Sequence, residues 1–189
     1  MEAHTVSGVE DVAKHVNEHI SWLDSEIRKL EKEIDDHTDR HPDLKRDAEL
    51  LGSIPGIGAT TVARLLGQLG DIRRFENAMA FAAFLGVTPK QRTSGSSLKG
   101  RTMISRTGSG ALRAALFMQS LVACRHNPIL NRFAERLLGT GMAKKAVICA
   151  VRHKLTHLIY GVIRTGKPFD KLSVERACNS RRYLTPPAR

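Results

Sequence analysis

The apolar residues between Val9 and Ile34 have the spacing of a coiled coil. From Val16 onward their intervals alternate between four and three residues, as they do along a heptad seam. Charged residues fill the positions between them, as on a solvated helix face. The sequence therefore predicts one long helix that pairs through this seam with another helix, in its own chain or in a second copy. The seam consists of Val9, Val12, Val16, Ile20, Leu23, Ile27, Leu30 and Ile34.

The net charge changes sign at about residue 50. Residues 1–50 carry seven Lys or Arg and fourteen Asp or Glu, a net −7, whereas residues 51–189 carry twenty-three and five, a net +18. A domain of +18 repels itself unless a polyanion binds it, so the charge predicts a nucleic-acid partner. A membrane surface is the weaker alternative, because no helix combines basic residues with an aromatic face.

Neither a membrane span nor a secreted scaffold is indicated. No apolar run approaches the roughly 20 residues that cross a bilayer, and the N-terminus is no signal peptide. The three cysteines, Cys124, Cys149 and Cys178, lack the close spacing of a zinc ribbon or a disulfide framework. We therefore expect a soluble protein in a reducing cytoplasm.

Glycine, proline and asparagine divide the rest of the chain into predicted helices. No strand pattern persists for more than a few residues, so the predicted fold class is all-α. We expect a helical coiled-coil linker at 1–50, a helical domain at 51–170 and a flexible basic tail at 171–189. Asn77 is a possible helix cap, and Asn127-Pro128 predicts another helix start. The predicted helices cover 43–51, 60–69, 75–85, 112–124, 128–138 and 143–164, with Leu112, Leu116, Leu121 and alanines as the core of the fourth.

The segment Ile54-Pro55-Gly56-Ile57-Gly58 precedes one of these helices. It resembles the hairpin of a helix–hairpin–helix DNA-binding element, in which Gly56 and Gly58 would present backbone N–H groups to a phosphate. An ordinary Pro-Gly turn between packed helices is an equal alternative.

A long polar loop runs from Thr88 to Gly110. No Asp or Glu occurs between Glu76 and Glu135, while glycines and arginines are frequent. Glycine lets the backbone approach a phosphate, and arginine offers it a planar fork of donors. The predicted phosphate-binding side chains are Lys90, Arg92, Lys99, Arg101, Arg106 and Arg113.

Four serines in this loop are candidate nucleophiles: Ser94, Ser96, Ser97 and Ser105. With no acid nearby to orient a histidine base, a hydrolase triad is a poor fit. Attack on a phosphodiester suits a serine between Arg92 and Lys99, because cations stabilise both the alkoxide and the transition state. The chemistry alone leaves a solvated Ser/Gly linker equally open.

Two histidine pairs are weighed as metal ligands. His15 and His19, with Glu18, match the H-x-x-E-H pattern of inverted zinc peptidases, but a catalytic zinc needs a third ligand in a dry cleft. Surface histidines are the favoured interpretation. His153 and His157 lie one turn apart on a basic helix, where packing or a phosphate contact is favoured over a metal. We expect no metal site in this chain.

Four motifs in order resemble the C-terminal domain of one transposase family over roughly residues 50–169. The family is the insertion-sequence "one-ten" group of mobile elements. It also includes the Piv-type DNA invertases, which carry out site-specific recombination. The motifs are Ile54-Pro55-Gly56-Ile57-Gly58, Phe81-Ala82-Ala83-Phe84-Leu85-Gly86-Val87-Thr88-Pro89, Gln91-Arg92-Thr93-Ser94-Gly95, and Ile104-Ser105-Arg106-Thr107-Gly108 with Ala111-Leu112-Arg113.

The resemblance implies a helical transposase domain that a coiled coil joins to an N-terminal RuvC-like nuclease domain. It implies DNA as substrate, a structured guide RNA that chooses the sites, and Ser94 as the serine that becomes linked to DNA. Mg²⁺ is expected in the nuclease domain, on four acidic residues outside this sequence, and no cofactor in the chain itself. The implied setting is a prokaryotic cytoplasm, on the nucleoid. The expected assembly is a homo-oligomer through the coiled coil that the heptad spacing predicts. A non-catalytic, dimerising DNA- or RNA-binding fragment or remnant is the alternative.

Overall fold

The computed structural model describes residues 3–90, 93–94, 98–99, 103–105 and 107–170. Helices dominate this part of the chain, which confirms the predicted all-α class. The chain divides into two compact units, one ending at Lys45 and the other beginning at Arg46. The predicted tail, residues 171–189, lies outside the described residues.

The first unit is built on a single long helix, α1 (Ala3–Asp39). A turn separates it from α2 (Pro42–Gly52), because proline disfavours helix at the residue before it. All eight seam residues of α1 are exposed, from 42% at Leu23 to 68% at Val9. The helix is confirmed, and its pairing stays a prediction.

The second unit packs its helices around α7 (Lys144–Thr165). Before it come α3 (Ala59–Leu69), a 3-10 turn (Ile72–Arg74), α4 (Ala78–Phe84), α5 (Gly110–His126) and α6 (Pro128–Gly139). Helix α7 contacts α4, α5, α6 and the 3-10 turn, and it buries Val147, Val151, Leu155 and Ile159. It is long and apolar enough to cross a membrane, but half of its apolar stretch is buried in the unit, as in a core helix.

Asparagine caps set two of the helix starts. The Asn127 side chain accepts hydrogen bonds from the backbone N–H groups of Ile129 and Leu130, with Pro128 in the first turn, as predicted. Asn77 accepts one from the N–H of Ala80 at 2.8 Å. Its backbone is extended, so α4 begins at Ala78, and the predicted start at Phe75 is wrong.

The core stripe of α5 contains a serine. The stripe consists of Leu112, Leu116, Ser120 and Ala123, and the Ser120 hydroxyl donates to the carbonyl oxygen of Leu116 at 2.6 Å. That internal hydrogen bond satisfies the hydroxyl and lets it occupy a core position. Leu121 lies about 100° further round the helix and is 37% exposed, so its predicted place in the core is wrong.

Candidate nucleic-acid site

The two hairpin glycines between α2 and α3 have different surroundings. Gly56 has a φ of +99°, and a Cβ there would lie 2.6 Å from the Cα of Ala123 in α5. Close packing against α5 therefore requires this glycine. Gly58 has a φ of −94°, and a Cβ there would meet nothing within 4 Å. Packing thus accounts for the glycine at position 56, whereas Gly58 faces open space.

Gly58 also leads into an open helix N-terminus. No side chain caps α3, and its first turn carries no acid. Gly58, Ala59 and Thr60 are exposed, while Ile54 and Ile57 anchor the hairpin in the core. An exposed, uncapped helix start presents N–H groups and a positive dipole end, which together attract a phosphate.

Close backbone contacts join the two ends of the polar loop, here called the loop base (residues 86–90, 103–105 and 107–108). Strand β1 (Pro89–Lys90) pairs antiparallel with β4 (Met103–Ile104), and the N–H of Ser105 donates to the carbonyl oxygen of Thr88 at 2.9 Å. A Cβ at Gly86 would overlap the carbonyl oxygen of Thr107, and one at Gly108 would overlap that of Phe84. Two of the sequence motifs therefore meet here, each contributing a glycine.

Ser94 lies on a second short ladder within the same loop. Strand β2 (Thr93–Ser94) pairs with β3 (Leu98–Lys99), and Ser94 stands opposite Leu98. Two residues lie between β1 and β2, and three lie between β3 and β4, so the register of the two ladders differs by one residue. The predicted loop is thus a pair of nested two-residue ladders in its described part.

The predicted loop cations are described to different extents. Lys90 and Lys99 have their backbones on β1 and β3. Arg92, Arg101 and Arg106 lie outside the described residues, as do the alternative nucleophiles Ser96 and Ser97. Ser105 is described, and its hydroxyl oxygen lies 3.0 Å from that of Thr107.

Arg113 is held against the loop base from the first turn of α5. Its Nη1 donates to the carbonyl oxygen of Gly108 at 2.8 Å, and Ser109 caps the helix by accepting from the N–H of Leu112. The Ser109 hydroxyl also donates to Gln68 on α3. Gly110 and Ala123 are roughly 13 residues apart on α5, so the loop base and the hairpin lie about 20 Å from each other along this helix.

Comparison with known proteins assigns part of this sequence to a family. Residues 48–135 match the model of the family described as Transposase IS116/IS110/IS902. These residues belong to that transposase family. The matched range includes the hairpin, the loop base, Ser94 and Arg113, so the predicted resemblance is confirmed.

Individual relatives extend the similarity over most of the chain. The chain is 34% identical over 172 residues to the pilin gene-inverting protein of Moraxella bovis, covering 90% of this chain and 51% of that protein. It is 31% identical over 163 residues to the IS1328 transposase of Yersinia enterocolitica, covering 82% and 46% respectively. An IS110 protein of 43.6 kDa from Streptomyces coelicolor is 26% identical over 143 residues, covering 76% and 34%. The chain thus spans about half or less of these relatives.

The histidine pairs have surroundings of their own. The rings of His153 and His157 lie 4.5 Å apart, and burial together with His157 lowers the pKa of His153 to about 4. Burial also lowers the pKa of His157. Neutral imidazoles do not attract a phosphate as cations do, which favours packing for this pair. His15 contacts the carbonyl oxygen of Asp11, and His19 stacks on Trp22.

One basic residue near the loop base escaped the sequence interpretation. Arg152 on α7 is 7% exposed, and its Nη1 donates to the carbonyl oxygen of Arg113 at 3.3 Å. It lies outside both the polar loop and the family match, within an apolar core pattern. Arg152 precedes the buried Leu155 by three residues, a spacing that places both on the same side of α7. Only the fold shows which other elements surround it.

Proposed function

We propose that this chain is the coiled-coil and C-terminal part of a transposase or DNA invertase that binds DNA and uses Ser94 as a nucleophile in strand exchange. The family match over residues 48–135 is the observation that carries the proposal. The relatives are named as transposases and as pilin gene-inverting proteins, which makes DNA rearrangement the common reaction. We place this reaction on chromosomal DNA in the cytoplasm of a prokaryote.

The loop geometry supports a role for Ser94 in chemistry. The loop base ties both ends of the loop to the helical core, and within the loop β2 pairs with β3. A nucleophile must be positioned within about 3–3.5 Å of the atom it attacks, which a tethered loop favours. By motif position, Ser94 is the serine that the family resemblance designates.

The proposed step conserves the phosphodiester. The Ser94 oxygen would form a bond to phosphorus while the bond from phosphorus to a deoxyribose oxygen breaks, and the freed hydroxyl takes a proton. A deoxyribose hydroxyl of the second DNA strand would then displace the serine. Arg92, Lys99 and the other loop cations would neutralise the charge on the phosphoryl oxygens.

The DNA would bind along the line from the hairpin to the loop base. The hairpin, which packs at Ala123, and Arg113 bracket ten residues of α5, about 15 Å, which corresponds to roughly four base pairs of duplex at 3.4 Å each. In this proposal the hairpin acts as a helix–hairpin–helix element through the N–H groups that follow Gly58. Lys90, Arg101 and Arg106 would contact phosphates of the same strand or of a structured guide RNA.

The full reaction would require partners that the resemblance implies. An N-terminal RuvC-like domain would hold Mg²⁺ on its acidic residues, and a guide RNA would select the sites. A non-catalytic DNA- or RNA-binding fragment that dimerises is the second candidate, favoured by the exposed α1 seam and the uncapped α3. A strand-exchange assay that compares the wild type with Ser94→Ala separates the two candidates, because only the first predicts exchange by the wild type and its loss in the variant.

We expect nucleic-acid binding to depend steeply on salt. Each phosphate that the +18 region neutralises releases counterions. With several such contacts, raising the salt from about 50 to 200 mM should reduce the affinity by orders of magnitude. Titration of labelled duplex DNA and of structured RNA at both salt concentrations measures the slope. An affinity that does not change with salt would contradict the polyanion partner.

We also expect the α1 seam to associate as a coiled coil between copies. Changing Leu23 and Ile27 to Asp places charges in the seam and should reduce the mass measured by light scattering to that of a monomer. The matched control changes the non-seam residues Glu26 and Lys29 to Ala and should keep the wild-type mass. A monomeric wild type would contradict the prediction.

A further inference from the structure

Arg152 is a buried cation with incomplete hydrogen bonding. Its side chain lies over the ring of Phe117 at 5.8 Å, and within the described part of the chain it makes one hydrogen bond, to the carbonyl oxygen of Arg113. Its Nε is buried and has no partner among the described residues. Buried polar groups in proteins are nearly always paired, and an unpaired one costs stability.

No carboxylate in the described part of the chain pairs with this charge. Between residues 77 and 169 the sequence contains a single acid, Glu135, which is exposed on α6. The second unit pairs another partly buried arginine fully: Arg73 makes two hydrogen bonds to Asp47, at 2.6 and 2.7 Å. Arg152 instead has a second cation, Arg113, for a neighbour. Burial lowers the pKa of Arg152, the neighbouring Cys149 raises it, and the charge of Arg113 lowers it by a smaller amount.

We propose that Arg152 and Arg113 form an anion site at the loop base that takes a phosphate group. Arg113 is half-buried and already touches the loop base through the carbonyl oxygen of Gly108. Arg152, on its inner side, adds a positive charge that no acid of the neighbouring helices cancels. A bound phosphate would supply the missing counter-charge to both guanidinium groups.

In the framework of the proposed function, this phosphate belongs to the DNA or RNA backbone next to the Ser94 loop. The site itself does not depend on that framework, because free inorganic phosphate has the same chemistry. Arg152 acts here as a binding residue that sequence motifs do not designate, on a helix outside the family match.

Thermal unfolding with inorganic phosphate tests the site directly. At equal ionic strength, phosphate should raise the Tm of the wild-type chain above its value in chloride, and Arg152→Met should lose that shift. Without phosphate, Arg152→Met should itself raise the Tm by about 2–4 °C, because a buried unpaired charge is replaced by an apolar chain of similar length. Arg152→Lys should keep part of the phosphate response.

The exposed Arg64 on α3 provides a matched control. Arg64→Gln removes the same net charge and should retain the full phosphate shift, with nucleic-acid affinity reduced less than in Arg152→Met, for which we expect at least about a tenfold loss. A wild type that does not respond to phosphate would overturn the site, as would an Arg152→Met variant that unfolds or retains the shift. A phosphate response without any nucleic-acid binding would instead leave the site standing and remove the proposed function.

Discussion

Ser94→Ala is expected to abolish strand exchange and the covalent protein–DNA adduct. Alanine removes the attacking oxygen and leaves the backbone of β2 free to keep its pairing with Leu98. Because the proposed exchange proceeds through that oxygen, the expected loss is at least about 10³-fold, as for other nucleophile deletions. The measurement is recombination of two marked DNA substrates, with the nuclease domain and guide RNA supplied, together with a denaturing gel for the adduct.

The same variant should bind and fold as the wild type does. A serine-to-alanine change on a short loop strand costs little stability, so Tm and DNA affinity are expected to stay within error. Ser105→Ala is the matched control, since Ser105 lies in the same loop and contacts the Thr107 hydroxyl. Recombination by Ser94→Ala, or an adduct on Ser97 or Ser105, would refute the assignment. A loss of fold would show that Ser94 has a structural role.

Gly108→Ala is expected to be among the most destabilising single-methyl changes in the chain. The residue has a φ of +132°, and its Cβ would overlap the carbonyl oxygen of Phe84. Backbone strain and overlap with fixed main-chain atoms each cost about 1–3 kcal/mol, so a loss of roughly 3 kcal/mol and a Tm lower by about 10 °C are expected. Gly86→Ala should behave in the same way, because its Cβ would overlap the carbonyl oxygen of Thr107.

Two other glycines separate the causes of this effect. Gly70 has a φ of +59° but nothing within 4 Å of a Cβ, so Gly70→Ala measures backbone strain alone. Gly58 has a negative φ and open surroundings, so Gly58→Ala should change Tm by little. Thermal unfolding followed by circular dichroism ranks the variants. If Gly108→Ala is no less stable than Gly70→Ala, the loop ends do not make the close contact described here.

Much of the helical framework was readable from local sequence. The heptad intervals predicted α1, Pro42 its end, and Asn127-Pro128 the start of α6. These features depend on backbone dihedral preferences and on hydrogen bonds within a few residues, so neighbouring letters suffice to determine them. The ordered motifs likewise sufficed to identify the family, and the charge asymmetry to predict a polyanion partner.

Tertiary structure alone decided the contacts between distant segments. The sequence shows glycines at 56, 86 and 108, but only the fold shows that each faces main-chain atoms of another segment, while Gly58 does not. The fold likewise shows that Ser120 rather than Leu121 faces the core, with its hydroxyl satisfied by a hydrogen bond within the helix. Arg152 sits beside Arg113 only after α7 packs on α5, 39 residues away along the chain. Close approach and charge pairing depend on distances in space, which the order of residues does not specify.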